Sequence, residues 1–525
     1  MSLQNFFKKN VAEYLSYLLP VAVFVGIFVT YFNYVPLWDG RAYLNNCVLA
    51  GVANPFHLMT FNCTNHGALF YGLLYALMQY INFGNVVLIH LTSLVLLLSA
   101  FCFLYAILKI LFADKVWVMM GMVTVCWNPV VIANAINPTP DLVVFALSLM
   151  SFWCFLTFRV ILASIFGFAL LFSKEAGVVY YALCCFFYLL YYSQAANQWK
   201  FNFKQGLILT WPFLIYGYFM WFKTHVAFDH LLFNNIRPAE IFQQIFIDWR
   251  EPHFYSAINT IFVLNFQWVI LLIFVMKVLF FRPQRVLVIA HEIKTILFIS
   301  LLLVSSIYIF CQFPHVLNVR YYLLVFPLIA WLFIFTLKSL PRYWGAIIGV
   351  IFIILSLASC FKTIDPVSKS VYGTFQFGRH PMLNMTSETL ECCGYGRDQL
   401  VYNLEHAKLA TLLNQFSRKL QIGESDIILT HPLADYYIYG NLTNETHQWT
   451  LKVKDTHVPL YANDPRTIQQ SMNNKKITRI FYIEFPNVED TRYARQVLAY
   501  FKPLVVHEIK DHGYTIKATE LTPSR

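Results

Sequence analysis

A polytopic α-helical membrane protein of about eleven transmembrane helices, followed by a C-terminal extracytoplasmic α/β domain, is what this sequence predicts. Three observations predict it. Of 525 residues, 58% are hydrophobic and only 12% are charged, where a soluble chain carries about 25% charged residues; mean hydropathy is +0.56. Unbroken apolar stretches such as Val11–Thr30, Val86–Phe112 and Ile261–Phe281 are long enough to cross a hydrocarbon core of roughly 30 Å as helices. Composition then changes abruptly near Phe361. Residues 362–525 hold 19 Lys+Arg and 17 Asp+Glu, which leaves 19 and 10 of the chain's 38 and 27 for the first 361 residues. The runs are continuously apolar rather than alternating, which excludes a porin-like barrel.

In order along the chain, spans are expected at 12–33, 84–112, 115–133, 141–158, 160–172, 176–193, 206–222, 259–281, 295–312, 321–338 and 344–361. The first apolar run is longer than the core of a signal peptide and lacks a small-x-small cleavage site, so it reads as a retained span. Residues 67–82 are apolar on one face and too short for a span; they read as a helix in the membrane interface. With the N-terminus inside, about 13 Lys and Arg fall in inner segments against 6 in the longer outer ones, as the positive-inside rule requires. The expected domains are a membrane part, 1–361, with outer loops 34–83 and 223–258, and a soluble part, 362–525.

The net charge of +11 resides mostly in the membrane part. It reads as topology and contact with membrane lipids, not as nucleic-acid binding. The cysteines show no zinc spacing. Most lie in spans as small apolar fillers, while Cys47 and Cys63 share an outer loop and are a candidate pair.

In this topology Asp39, His66, Asp141, Lys174 and Arg320 all fall at the outer face. Asp39, in PLWDGRAYL, is either a solvated loop carboxylate or a base whose proton affinity rises as hydration is lost. His66 is a phosphate or hydroxyl ligand, or an interfacial histidine without chemistry. Asp141 starts a span, where a carboxylate also serves as a simple helix cap. Lys174 lies between two apolar runs. Its neighbour Glu175 could neutralise it, yet ionisable residues at membrane depth are costly and mark function by default. Arg320 either snorkels to headgroups or grips phosphate oxygens bidentately. Together they describe one outer site with a carboxylate and several cations, suited to an anionic lipid-linked substrate.

Five segments make this pattern resemble the GT-C superfamily of membrane glycosyltransferases. It is most similar to the family of bacterial aminoarabinose transferases, lipopolysaccharide-core transferases and protein O-mannosyltransferases. The segments are WDGRAY with Asp39 and Tyr43, HGALFY from His66 to Tyr71, NPTPDLVVFALSL with Asp141, GFALLFSKEAG with Lys174, and RYYLLVFPLIAWL from Arg320 and Tyr321. They agree with the family in order, spacing and sidedness over about residues 12–338. Gly67 and Ala68 replace two prolines of the family pattern. The first loop has one Asp in place of an acidic pair, so no metal is indicated.

The resemblance implies an inverting sugar transfer outside the cytoplasm, from a polyprenyl-phosphate-linked donor to a lipid, glycan or protein acceptor. Asp39 would orient or deprotonate the acceptor. Lys174 and Arg320 would bind the donor phosphate. Arg41, Tyr43, His66, Asp141 and Tyr321 would be second-rank site residues, and no cofactor is implied. The implied location is a bacterial inner membrane with the C-terminal domain in the periplasm; the endoplasmic reticulum is the alternative, to which the sequons at Asn62, Asn384, Asn441 and Asn444 would belong.

The tail reads as amphipathic helices near 398–420 and 488–501, with strands at 426–430, 478–485 and 503–509. A role in acceptor recognition or in structural support fits it equally. The competing function is a transporter or flippase of an amphiphile. Transporters show matched halves with broken helices, and no internal repeat is visible. A lipid-linked glycan polymerase or ligase would share the donor but not these segments.

Overall fold

The computed structural model describes residues 3–34, 36, 40, 43–54, 68–192, 199–225, 261, 267–280, 290–312 and 319–359, and in the tail 376–377, 380–381, 415, 419–421, 426–430, 458–459, 479–484, 501–511 and 514–523. The chain divides into two compact units, Met1–Asn384 with Asp398–Val401, and Met385–Arg397 with Tyr402–Arg525.

The first unit is helical. Helix α1 spans Leu3–Val29. A π-helical segment Leu44–Leu49 runs into the turn Ala50–Ala53, and α2 covers Leu69–Gln79. Helix α3, Val86–Leu111, is capped by the Asn85 side chain, which accepts from the Leu88 N–H, and carries Lys109 in its last turn. Both features satisfy the helix ends and their dipole.

The span expected unbroken at 115–133 is broken. Helix α4, Lys115–Cys126, and α5, Pro129–Ile136, meet at a bend of 48°. Proline lacks an N–H and disfavours a helical residue before it. Asn128 therefore leaves the first helix and caps the second, its side chain accepting from the Val130 N–H at 2.9 Å.

Helix α6, Pro140–Leu156, and α7, Val160–Leu171, form a hairpin. Its turn places Phe158 at φ 58, with the Arg159 N–H donating to the Cys154 carbonyl at 2.8 Å. That is the left-handed helix stop usually given to glycine. Helix α8 is Glu175–Phe187, continued by a π-helical stretch Tyr188–Tyr192. Then come α9, Trp199–His225, α10, Gln267–Phe280, and α11, Ala290–Gln312. A 3-10 turn, Val319–Tyr322, precedes α12, Val325–Lys338, and α13, Arg342–Ser359. The expected span at 321–338 thus begins as a turn.

Among the described residues, α3 and Ile293–Phe310 of α11 are long and apolar enough to cross a membrane, and the bent pair α4–α5 makes a third. Shorter apolar stretches of 10–17 residues lie in other helices, such as Ser16–Val29 of α1 and Tyr343–Leu355 of α13. Helix α6 sits at the centre. It packs against α3, α7 and α8, and its residues from Pro140 to Phe152 are all buried. Phe152 stacks on Trp331 and Phe298, at 5.2 and 5.4 Å between ring centroids. In lipid such contacts hold helices together by close packing. The helix-filling cysteines Cys126, Cys154, Cys184 and Cys185 are buried and free. Cys47 is disulfide-bonded; Cys63 lies outside the described residues. A two-stranded hairpin, β1 (Gln376–Phe377) and β2 (His380–Pro381), also belongs to this unit.

The second unit holds a mixed five-stranded sheet. Its strands are β3 (Asp426–Thr430), β4 (Val458–Pro459), β5 (Arg479–Glu484), β6 (Phe501–Asp511) and β7 (Tyr514–Pro523). The order is β4-β3-β5-β7-β6, with β3 parallel to β4 and β5, and β7 antiparallel to β5 and β6. The three strands expected in the tail are present. Strand β7 was not expected, although Tyr514, Ile516 and Ala518 alternate with polar residues as a half-buried strand does. Phe501, expected to close a helix, opens β6 instead; most of both expected tail helices lies outside the described residues.

Candidate active site

Asp141 is the second residue of α6. Pro140, with its fixed φ, starts the helix, and Asp141 stands in the first turn, 3% exposed. Lys174, 4% exposed, occupies the N-cap position of α8 in extended conformation. It ends the tight connection from α7. That connection needs a glycine at 177, because a Cβ there would overlap the Leu170 carbonyl oxygen and lie 2.9 Å from its carbon, both backbone atoms. Arg320, also 4% exposed, comes from the 3-10 turn before α12.

These three side chains meet. The Lys174 ammonium donates to both carboxylate oxygens of Asp141, at 2.9 and 2.8 Å. Arg320 Nε lies 3.2 Å from Asp141 Oδ2. Tyr321 underlies both cations, its ring centroid 4.4 Å from Lys174 Nζ and 5.5 Å from Arg320 Cζ. Two cation–π contacts on one ring are favourable in a desolvated site. The Tyr321 backbone is held by Tyr180, whose hydroxyl donates to its carbonyl at 3.2 Å.

Lys174 lies between α7 and α8. Burial disfavours its charge, but attraction to the Asp141 carboxylate outweighs that, and its pKa stands above the ordinary lysine value. The adjacent Glu175, which the sequence offered as neutraliser, is not its carboxylate partner. Nor is Asp141 merely a helix cap: it neutralises cations from two other segments. A buried charged cluster of this kind costs desolvation that its mutual attraction barely offsets, so stability does not explain it.

The remaining segments close around this cluster. The Phe70 N–H, from the HGALFY segment, donates to the Phe172 carbonyl at 2.8 Å. The Tyr71 hydroxyl donates to the Pro138 carbonyl at 3.2 Å. Tyr43 is buried and packs edge-on against Tyr71, 5.9 Å between centroids. Asp39, Arg41 and His66 lie outside the described residues. The cluster therefore unites Asp141, Lys174, Arg320 and Tyr321, with Tyr43 close by. Among the described residues no group of three or more His, Cys, Asp or Glu side chains could hold a metal ion. Sequence reasoning missed Tyr180, which no motif flags, and Tyr71 as more than a motif end.

Neither a protein-family model nor a curated protein matches the sequence. Solved structures do match its three-dimensional arrangement. ArnT from Cupriavidus metallidurans, bound to undecaprenyl phosphate, superposes with a TM-score of 0.52 over 95% of this chain and 97% of that one, at 13% identity. The apo state of the same protein gives 0.51 over the same coverage. The fold is that of ArnT. The resemblance read from five short segments is borne out at the level of fold: an ArnT-like arrangement of many apolar helices with a small C-terminal sheet. Like ArnT, the chain carries this architecture over nearly its whole length.

Proposed function

We propose that this chain is a membrane glycosyltransferase that moves a sugar from a polyprenyl-phosphate-linked donor to a lipid, glycan or protein acceptor, with inversion, on the outer side of the membrane. The observation that carries the reading is the convergence of two buried cations and a shared carboxylate, delivered by three of the five motif segments. The three side chains together bear one more positive than negative charge, which suits a phosphate. The shared fold adds support, since the matching ArnT structure holds undecaprenyl phosphate.

In this reading the acceptor oxygen attacks the anomeric carbon as the bond from that carbon to the phosphate oxygen breaks. The bonding electron pair leaves on the phosphate. Lys174 has three N–H donors, two of them engaged by Asp141, and directs the third to the departing oxygen. Arg320 adds charge-assisted donors. Such groups act by stabilising charge as it develops. Asp141 holds Lys174 charged and aimed. Asp39 takes the acceptor proton, or only positions the acceptor when that is itself a phosphate.

Eleven spans, an outer C-terminal domain at 362–525 for acceptor recognition or support, and a bacterial inner membrane belong to the same proposal. The test is sugar transfer by purified protein from an undecaprenyl-phosphate sugar. Asp39→Asn and Lys174→Gln are each expected to abolish transfer while membrane insertion stays intact. Wild-type turnover in both variants would sink the reading.

A further inference from the structure

Gly40 is buried, and a Cβ built on it would overlap Oδ1 of Asn137 and lie 2.9 Å from its Cγ and 3.2 Å from its backbone carbon. No larger residue fits at 40 unless Asn137 or the outer loop moves. Asn137 is itself buried and stands at the C-terminal end of α5, opening the Asn137–Pro140 turn that delivers Asp141. The next residue of that turn, Pro138, receives the Tyr71 hydroxyl, and Tyr71 supports Tyr43, three positions after Gly40. One outer loop therefore grips one turn twice, directly through Gly40 and indirectly through Tyr43 and Tyr71. Tyr43 also lies within electrostatic reach of Lys174.

We propose that Gly40, Asn137 and Tyr71 form a positioning clamp, which registers the first outer loop at Gly40 and Tyr43 against the turn carrying Asp141 and so sets the placement of Tyr43 beside the Asp141–Lys174–Arg320 cluster. None of the three touches the reacting atoms. This rests on the reading of that cluster as the donor-phosphate site. The clamp explains why a glycine follows Asp39 in WDGRAY: it serves close approach, with Asn137 as its counterpart.

Compensation tests it. Asn137→Ala removes the two atoms that a Cβ at 40 would approach most closely and leaves the Asn137 backbone carbon at 3.2 Å. Gly40→Ala should therefore harm the wild-type background and be tolerated beside Asn137→Ala. One arm reads position alone. In an Arg41→Cys background, the rate at which a water-soluble maleimide labels position 41 is followed by mass spectrometry of that peptide. Gly40→Ala should change the rate by about threefold or more, and by less than about 1.5-fold when Asn137→Ala is present. The other arm reads chemistry. Gly40→Ala should lower kcat about tenfold or more with donor KM within about twofold, and Asn137→Ala should recover most of the loss. Equal effects of Gly40→Ala in both backgrounds, or none in either, would overturn the clamp. Where Gly40→Ala does not fold, Tyr71→Phe decides: an unchanged labelling rate overturns the proposal. Absence of sugar transfer in the wild type would defeat the glycosyltransferase reading and leave the labelling arm to judge the clamp.

Discussion

Lys174 donates to both oxygens of Asp141 across 33 positions of sequence. The hairpin of α6 and α7 brings them together. The chain leaves one end of the bundle at Asp141, returns along α7 and reaches the same end at Lys174. A lysine and an aspartate that looked like separate boundary residues thus become one bidentate pair, with Arg320 on the same carboxylate.

Replacing Asp141 by Asn should be severe. Two buried cations then lose their shared counter-charge, and removing one partner of a buried pair costs about 3–5 kcal/mol. The expected results are a marked drop in the thermal midpoint of the purified protein and loss of sugar transfer. An unchanged midpoint would show that the carboxylate is not the keystone of the cluster.

The same variant should reverse a pH trend. In the wild type the Lys174 pKa lies above its ordinary value, so the folded state holds this proton more firmly than the unfolded state. The stability it contributes is complete below the ordinary lysine pKa of about 10.4 and fades only as pH rises through the higher folded value. In Asp141→Asn, burial and Arg320 both disfavour the charged lysine, so its folded pKa falls below the unfolded one. Stability relative to the wild type should then rise with pH between about 7 and 10. Parallel melting series on the two proteins, compared by difference, would reveal it.

Gly177→Ala should damage the site from a distance. The new methyl would meet the Leu170 carbonyl, and backbone cannot swing aside as a flexible side chain can. The α7–α8 connection must open, which displaces Lys174 from Asp141. Weakened donor binding with normal expression is the expected result, read as a rise in the half-saturating donor concentration. A variant indistinguishable from wild type in donor affinity would show that the turn tolerates the methyl.

Sidedness can be tested by labelling. Cysteines introduced beside Lys174 and Arg320 should react with a membrane-impermeant maleimide from the outer face only. Reaction from the cytoplasmic face would break the assignment of a single outer site.

Much of the helical layout was legible in the sequence, because long apolar runs bounded by Lys, Arg, Asn and Pro leave few alternatives at membrane depth. The break at Asn128–Pro129 was legible too, as a helix-stopping dipeptide, but the apolar residues on both sides masked it. The ion pairs of Asp141 were not legible in the sequence for a physical reason. Locally, a carboxylate in a first helical turn is already explained, and only the returning hairpin shows that it answers Lys174 instead of the neighbouring Glu175. Asn137 and Gly40 carry no charge and belong to no charge pattern. Their relation is steric and long-range, which a linear reading does not reveal. Asp39, ranked first from the sequence, lies outside the described residues together with Arg41 and His66.

The single ring of Tyr321 beneath both cations has a consequence for inheritance. Lys174 and Arg320 share a carboxylate and an aromatic face, so the worth of each depends on the other being present. Substitutions at the two positions will not add: once one cation is lost, the other is the remaining counter-charge of a buried carboxylate, and losing it too leaves Asp141 unpaired. Drift at this site should therefore come in correlated steps, with Asp141, Lys174, Arg320 and Tyr321 kept or exchanged as one heritable unit.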